Sequence, residues 1–205
     1  MSEAKPISRA DLVAYLAVAL IVAVELVIFW RALNPTAQGD YRAYYIDKTT
    51  TCLPQPMTGA YEIGRIVSFR PDGRELAHEL KPCGWEGPAG DGTHSVGETS
   101  RLRFAVGPDA PPLELVLELV AVDLPGPEFQ RVRVSANGEG LGEVSALPDQ
   151  PRRVSLPVPA AALAGREVLD VALDFPDAIR AYPGAPDTRK RSIKLLAAGL
   201  VPAGR

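Results

Sequence analysis

A tryptophan followed by a carboxylate, Trp85-Glu86, stands directly before the glycine-rich stretch Gly87-Pro-Ala-Gly-Asp-Gly92. An indole offers a flat apolar platform to a sugar ring, and a neighbouring carboxylate accepts hydroxyl hydrogen bonds, so Trp85, Glu86 and Asp91 are candidate glycan-binding residues. The same tryptophan can instead close one end of a core beside Cys83. His94 and Ser95 would form a nucleophilic site only if a carboxylate such as Glu86 or Glu98 oriented the imidazole, and no nucleophile-elbow pattern surrounds them. Asp91 in its loop is a weak calcium candidate, because a hard cation needs six to eight oxygens and its neighbours supply few. Arg189-Lys190-Arg191 with Lys194 is the basic cluster of the chain. It suits either an anionic surface or the protection of a sheet edge, with Asp187 expected to pair with Arg189.

Two cysteines and two histidines, widely scattered, make a four-ligand zinc site improbable, and the reading is of a chain without metal or cofactor. Cys52 and Cys83 both lie in the C-terminal part, as one structural disulfide requires; two unpaired buried thiols are the alternative. With 22 Lys+Arg against 25 Asp+Glu the net charge is -3, which argues against a nucleic-acid partner. The 205 residues are 46% hydrophobic and 23% charged, a composition that excludes a disordered chain and leaves room for one membrane segment and one globular domain.

The segment from Leu12 to Trp30 reads LVAYLAVALIVAVELVIFW and at the helical rise spans roughly 28 Å, enough to cross a bilayer once. Asp11 is the expected N-cap, Trp30 and Arg31 mark the far interface, and Asn34-Pro35 stops the helix. The run is long for a signal peptide and lacks a small-x-small cleavage site, so an uncleaved anchor is expected, with residues 1–11 as a cytoplasmic tail and 12–31 as the transmembrane helix. Flanking cations fix orientation only weakly; the short tail and the cysteines favour a C-terminal domain in the periplasm of a bacterium, anchored in the inner membrane. Glu25 within this apolar run costs roughly 2.5 to 3.5 kcal/mol to insert, judged from scales for Asp and basic residues. Ala14 and Val18 share its helical face, and Ala19 and Ala23 form a small-xxx-small pair beside it, so these five residues are the expected contact with another membrane subunit.

Residues 32–60 read as a linker and domain edge, and 61–205 as the extracytoplasmic domain. There the period becomes two: Tyr61 to Phe69, then Leu102, Phe104 and Val106, then Leu113, Leu115, Leu117 and Leu119 with Glu114 and Glu118 on the other face. Phe129 to Ala136 and Leu141 to Val144 flank Asn137-Gly138, a type I′ hairpin signal. Val154 to Val158, Val168 to Phe175 and Ile193 to Val201 complete eight or nine strands, with one helical turn between Pro159 and Gly165. The expected fold is mainly β: a single N-terminal transmembrane helix followed by a jelly-roll-like antiparallel β-sandwich.

Gly84-Trp85-Glu86, Gly92-Thr93-His94-Ser95-Val96-Gly97, Val132-x-Val134-x-x-Asn137-Gly138, and Asp187-Thr188-Arg189 with Ile193 follow one another in an order that resembles a family of jelly-roll-like β-sandwich domains outside the bacterial inner membrane. Such domains are often attached to envelope glycosyltransferase-like membrane proteins. The resemblance spans about residues 60 to 202 and implies an envelope setting. Together these features predict a non-enzymatic accessory subunit docked on a larger inner-membrane complex, of envelope-glycan or energy-transducing type. The alternative is a membrane-anchored module that binds an envelope glycan through Trp85.

Overall fold

The computed structural model describes residues 8–33, 41–46, 50–125, 128–180 and 189–204. The chain divides into two compact units, 1–39 and 40–205. The first holds helix α1 (Arg9–Leu33), which is long and apolar enough to cross a membrane, as a signal sequence also is. Its cap is Ser8 rather than Asp11: the Asp11 backbone N–H donates to Ser8 Oγ (3.2 Å) while the Asp11 carboxylate accepts from the Ser8 N–H (3.0 Å) and hydroxyl (2.7 Å). This reciprocal Ser-x-x-Asp box extends the helix one turn beyond the apolar run that was visible in sequence. Helix α1 ends at Leu33, just before Asn34-Pro35.

The second unit is an antiparallel β-sandwich. One sheet runs β2 (Trp85–Ala89), β3 (Gly92–Ser95), β12 (Ile193–Pro202), β5 (Leu113–Ala121), β8 (Arg152–Pro157), and β1 (Ile66–Ser68) also pairs with β12. The other runs β4 (Thr99–Ala105), β9 (Val168–Asp174), β6 (Gln130–Ala136), β7 (Glu139–Ala146). A short ladder joins β10 (Ile179–Arg180) to β11 (Lys190–Arg191). From β3 to β6 each strand lies in the opposite sheet to the one before it; β6 and β7 form a hairpin in one sheet, and β8, β9 and β12 alternate again. That gives the interleaved 3-12-5-8 and 4-9-6-7 sheets of a jelly roll.

The alternation expected for β5 holds because one face meets the opposite sheet. Leu113, Leu115, Leu117 and Leu119 are sealed, and each contributes about 1.5–3 kcal/mol relative to exposure. Leu102 and Phe104 from β4, Val132 and Val134 from β6, and Leu169, Val171 and Leu173 from β9 fill the other half of the core. Asn137 and Gly138 carry φ of 47° and 90°, the left-handed pair a two-residue hairpin needs. Asn137 also donates through Nδ2 to the carbonyls of Ala162 (2.8 Å) and Val168 (3.1 Å), fastening the hairpin beside the short helix Ala160–Leu163.

Two expectations fail locally. Tyr61 to Phe69 is a strand only over Ile66–Ser68: Tyr61 leaves the ladder to place its ring edge-on to Phe104 at 5.0 Å, with its hydroxyl accepting the Leu200 N–H (2.8 Å). Gly87 to Gly92 is not an open loop but most of the β2–β3 hairpin, whose register shifts between Trp85 and Pro88, where the proline supplies no ladder N–H. A six-residue helix, Arg74–Glu79, packs Ala77 inward after β1 without having been expected.

Candidate functional site

Of the motifs carried by the resemblance, Gly84-Trp85-Glu86 and Gly92 to Gly97 adjoin through the β2–β3 hairpin and Arg189 reaches Glu86, whereas Val132 to Gly138 belongs to the β6–β7 hairpin of the other sheet and Asp187-Thr188 lies outside the described residues. Gly84, at φ 78°, brings its carbonyl within reach of the Ser100 hydroxyl (2.5 Å) and the Val96 N–H (2.7 Å), and a Cβ there would lie 2.4 Å from the Thr99 carbonyl oxygen. Trp85 follows, half-buried against the core, its indole N–H donating to the Arg101 carbonyl at 2.7 Å. That bond fixes the ring and satisfies the indole's donor. Trp85 packs against the core, as one of its two sequence readings expected, and also lines an open groove.

The groove has a volume of about 970 Å³. Its walls bring Tyr44 and Tyr45 opposite the Lys81–Gly87 segment, with Thr50, Thr51, Leu53, Gln55, Val96 and Arg189 completing them. The Thr50–Gln55 wall is fastened in three ways. Cys52 is joined to Cys83, with Cα atoms 4.9 Å apart, inside the range a disulfide spans. Thr51 Oγ1 donates to the Val96 carbonyl (2.9 Å), and the Gln55 N–H donates to the Pro82 carbonyl (2.8 Å). Gly97 permits the approach of Thr51, since a Cβ at that position, φ 88°, would fall 1.5 Å from Thr51 Oγ1.

Glu86 lines the groove, but its Oε1 accepts from Arg191 Nη2 (2.7 Å) and Arg189 Nη2 (3.1 Å). Arg191 is nearly sealed, so Glu86 first serves as its counter-charge. Asp91 occupies the β2–β3 turn outside the groove lining and pairs with Lys194, whose hydrogen bond holds its carboxyl below the usual carboxylate range. Lys190 pairs with Glu98. The basic cluster read from sequence is thus met residue by residue by carboxylates from elsewhere in the fold and is no open cationic patch; Asp187, the expected partner of Arg189, lies outside the described residues. Lys81 is the third charged side chain of the groove among the described residues. Its Nζ donates to the Glu86 carbonyl at 3.4 Å, and burial, helped by the nearby charge of Arg74, pulls its pKa down.

The nucleophile pair dissolves. Ser95 is fully buried, its Oγ accepting the N–H groups of Ser192 (3.2 Å) and Ile193 (3.0 Å), so it ties β3 to β12 and cannot reach a substrate. His94 is half-buried, and burial pushes its imidazole below the ordinary value. Among the described residues no group of three or more His, Cys, Asp or Glu side chains converges as a metal site, Asp91 included. Glu25, Ala14, Val18, Ala19 and Ala23 all lie on α1 with their surfaces uncovered.

No protein-family model matches the chain, and no curated protein matches its sequence. Solved structures similar to the chain include the CBM36-1 domain of a multidomain xylanase from the hindgut metagenome of Trinervitermes trinervoides, at 12% identity and a TM-score of 0.37, covering 66% of this chain and 95% of that one. A carbohydrate-binding module CBM36 in complex with calcium and xylotriose matches at 10% identity and a TM-score of 0.38, over 66% and 98% of the two chains. A family GH115 4-O-methyl-α-glucuronidase matches at 14% identity and 0.43, over 73% of this chain and 19% of that enzyme. Likeness at this level says nothing of ligand or activity, and the groove has to be judged on its own side chains.

Those side chains combine three aromatic rings with hydroxyl, amide and charged groups around a concavity of the size that small ligands occupy. Of the residues singled out from sequence, Trp85 and Glu86 line it, Cys52 and Cys83 brace it, and Asp91 stands apart. Tyr44, Tyr45, Thr51, Gln55 and Lys81 were missed, being scattered through a stretch without period. The one available signal was Tyr41-x-x-Tyr44-Tyr45, half of the chain's six tyrosines within five positions of an apparent linker.

Proposed function

We propose that this chain is a membrane-anchored, non-catalytic glycan-binding module, with α1 in the bacterial inner membrane and the sandwich in the periplasm. The observation that carries the reading is the groove itself: Trp85, locked by its bond to the Arg101 carbonyl, faces a cleft that also presents Tyr44, Tyr45, two threonine hydroxyls and the Gln55 amide. Sugars are bound by such sets, apolar ring faces against aromatics and hydroxyls against fixed polar groups. A bridged Cys52 and Cys83 suits an oxidising compartment, and the envelope setting follows the family resemblance. The chain has two tryptophans, so in a Trp30→Phe variant Trp85 is the only fluorophore of its kind. With that full-length variant in nanodiscs, a saccharide entering the groove shifts or quenches Trp85 emission in a saturable way. Emission indifferent to every saccharide tested would reject the proposal.

A second reading, docking on a larger inner-membrane complex, is favoured by Glu25. Among the described residues this carboxylate has no hydrogen-bond or ion-pair partner, and an intramembrane carboxylate with neighbouring small residues suits contact with another helix. Mild-detergent purification of wild type and Glu25→Leu separates the cases: chains that co-elute with wild type and are lost from the variant support docking, and an identical elution from both contradicts it.

A further inference from the structure

We propose that the groove selects acidic saccharides, chains bearing uronate or phosphate, and that Lys81 is the residue that meets their negative charge. The inference rests on the glycan reading above and specifies its ligand.

Among the described residues three charged side chains line the groove, Lys81, Glu86 and Arg189. Glu86 is the only carboxylate among the described lining residues, and its Oε1 is already occupied by two guanidinium groups. It is poorly placed to balance Lys81 as well. Lys81 Nζ reaches only the backbone carbonyl of Glu86, at 3.4 Å, and has no carboxylate within ion-pair distance among the described residues. An ammonium carries three donors, and the bond to the Glu86 carbonyl uses one of them, leaving two for an acceptor in the cleft that Lys81 lines.

The position of Lys81 in the chain gives this consequence. It directly precedes Pro82-Cys83, so the bridge to Cys52 and the Gln55–Pro82 hydrogen bond hold its backbone at the groove wall. The side chain is half-buried, which costs charge solvation and lowers its pKa. A neutral sugar seated on Trp85 would strip further water from the ammonium and return only weak hydroxyl contacts. A carboxylate or phosphate on the same sugar ring would return a charge-assisted hydrogen bond. The cleft therefore discriminates by charge as well as by ring face.

The test uses the full chain in nanodiscs against polygalacturonate, alginate and hyaluronate, each beside its carboxyl-methyl-esterified form, which keeps the backbone and removes the charge. Vesicles containing glucuronosyl diacylglycerol make a further arm, because only ten residues lie between Leu33 and Tyr44 in the sequence and a headgroup source is as accessible to test as a soluble polymer. The expected result is retention of at least one acidic ligand, weakened at least tenfold by esterification and by Lys81→Gln, restored by Lys81→Arg, and unchanged by Arg133→Gln on the far sheet. Equal retention of acidic and esterified forms would overturn charge selection while leaving glycan binding intact. Equal loss in Lys81→Gln and Arg133→Gln would reduce the effect to bulk charge and overturn the role of Lys81. Retention of none of these ligands, charged or esterified, together with a saturable Trp85 response to some neutral saccharide, would overturn the acidic preference alone; no response to any saccharide overturns both readings.

Discussion

Opening the bridge between Cys52 and Cys83 tests how the groove wall is held. The bridge closes a segment with a sequence separation of 31, and that segment contains Val67, Phe69, Ala77 and Leu80, all buried in the core. Chain-entropy loss in the unfolded state over a loop of that length is worth about 3.5 kcal/mol. For a domain of this size each kcal/mol moves the midpoint by about 2–4 °C, so full reduction is expected to lower Tm by about 7–14 °C. Reduction is a cleaner perturbation than Cys83→Ser, because a hydroxyl at the nearly sealed position 83 adds a desolvation cost of its own. The assay is thermal unfolding of the Trp30→Phe chain followed by Trp85 emission, with and without a phosphine reductant, the thiol count taken by alkylation and intact mass. Two alkylated thiols before reduction would refute the pairing. A bridge shown by mass whose reduction moves Tm by less than about 2 °C would refute the claim that it constrains the fold.

Gly97→Ala is expected to destabilise the domain by about 1–2 kcal/mol for the left-handed backbone alone, with more from the overlap with Thr51, and to weaken groove binding beyond what the Tm shift explains, measured by unfolding and by ligand titration. Asp177 is held at about 2 by its hydrogen bond from Arg131, whose Nε and Nη2 reach it at 2.8 and 2.6 Å. Its folded value lies below its ordinary 3.8, so the contribution is complete above about pH 4 and is lost as pH falls toward 2. In Arg131→Gln the Asp177 carboxyl is expected to titrate near its ordinary value in a carbon-detected NMR titration, and an unchanged midpoint would contradict the assignment of the shift to Arg131.

The sandwich was legible wherever one strand face is sealed and the other wet. β5 announces itself through Leu113 to Leu119, and the β6–β7 hairpin through Asn137-Gly138, because burial and turn chemistry each write a local pattern. β2 and β3 wrote none: Gly87, Pro88 and Gly92 suit a loop as well as a short, bulged edge hairpin, and only pairing with β12 decides between them. The start of α1 was misplaced by three residues because hydropathy was weighed above the Ser8–Asp11 box. Of the groove's lining, Trp85, Glu86, Cys83 and Arg189 stood out in the sequence and most of the rest did not. The pairing of Glu86 with Arg191 spans 105 residues, and the packing of Thr51 on Gly97 spans 46, so neither leaves a trace in a local window. Tyr44, Tyr45 and Lys81 became site residues because the bridge, the Thr51 hydroxyl bond to Val96 and the backbone bond from Gln55 to Pro82 fasten an apparent linker to the sandwich.

The central claim is that a saccharide occupies the groove beside Trp85. The most direct measurement is a glycan array probed with the full-length protein in nanodiscs, wild type beside Trp85→Ala, with the thermal midpoint of both recorded. Removing the ring takes away the main apolar contact, and the expected result is a defined set of hits whose signal falls at least tenfold in Trp85→Ala while the variant remains folded. An array without hits for wild type, or hits that a folded Trp85→Ala retains at full strength, would contradict the claim.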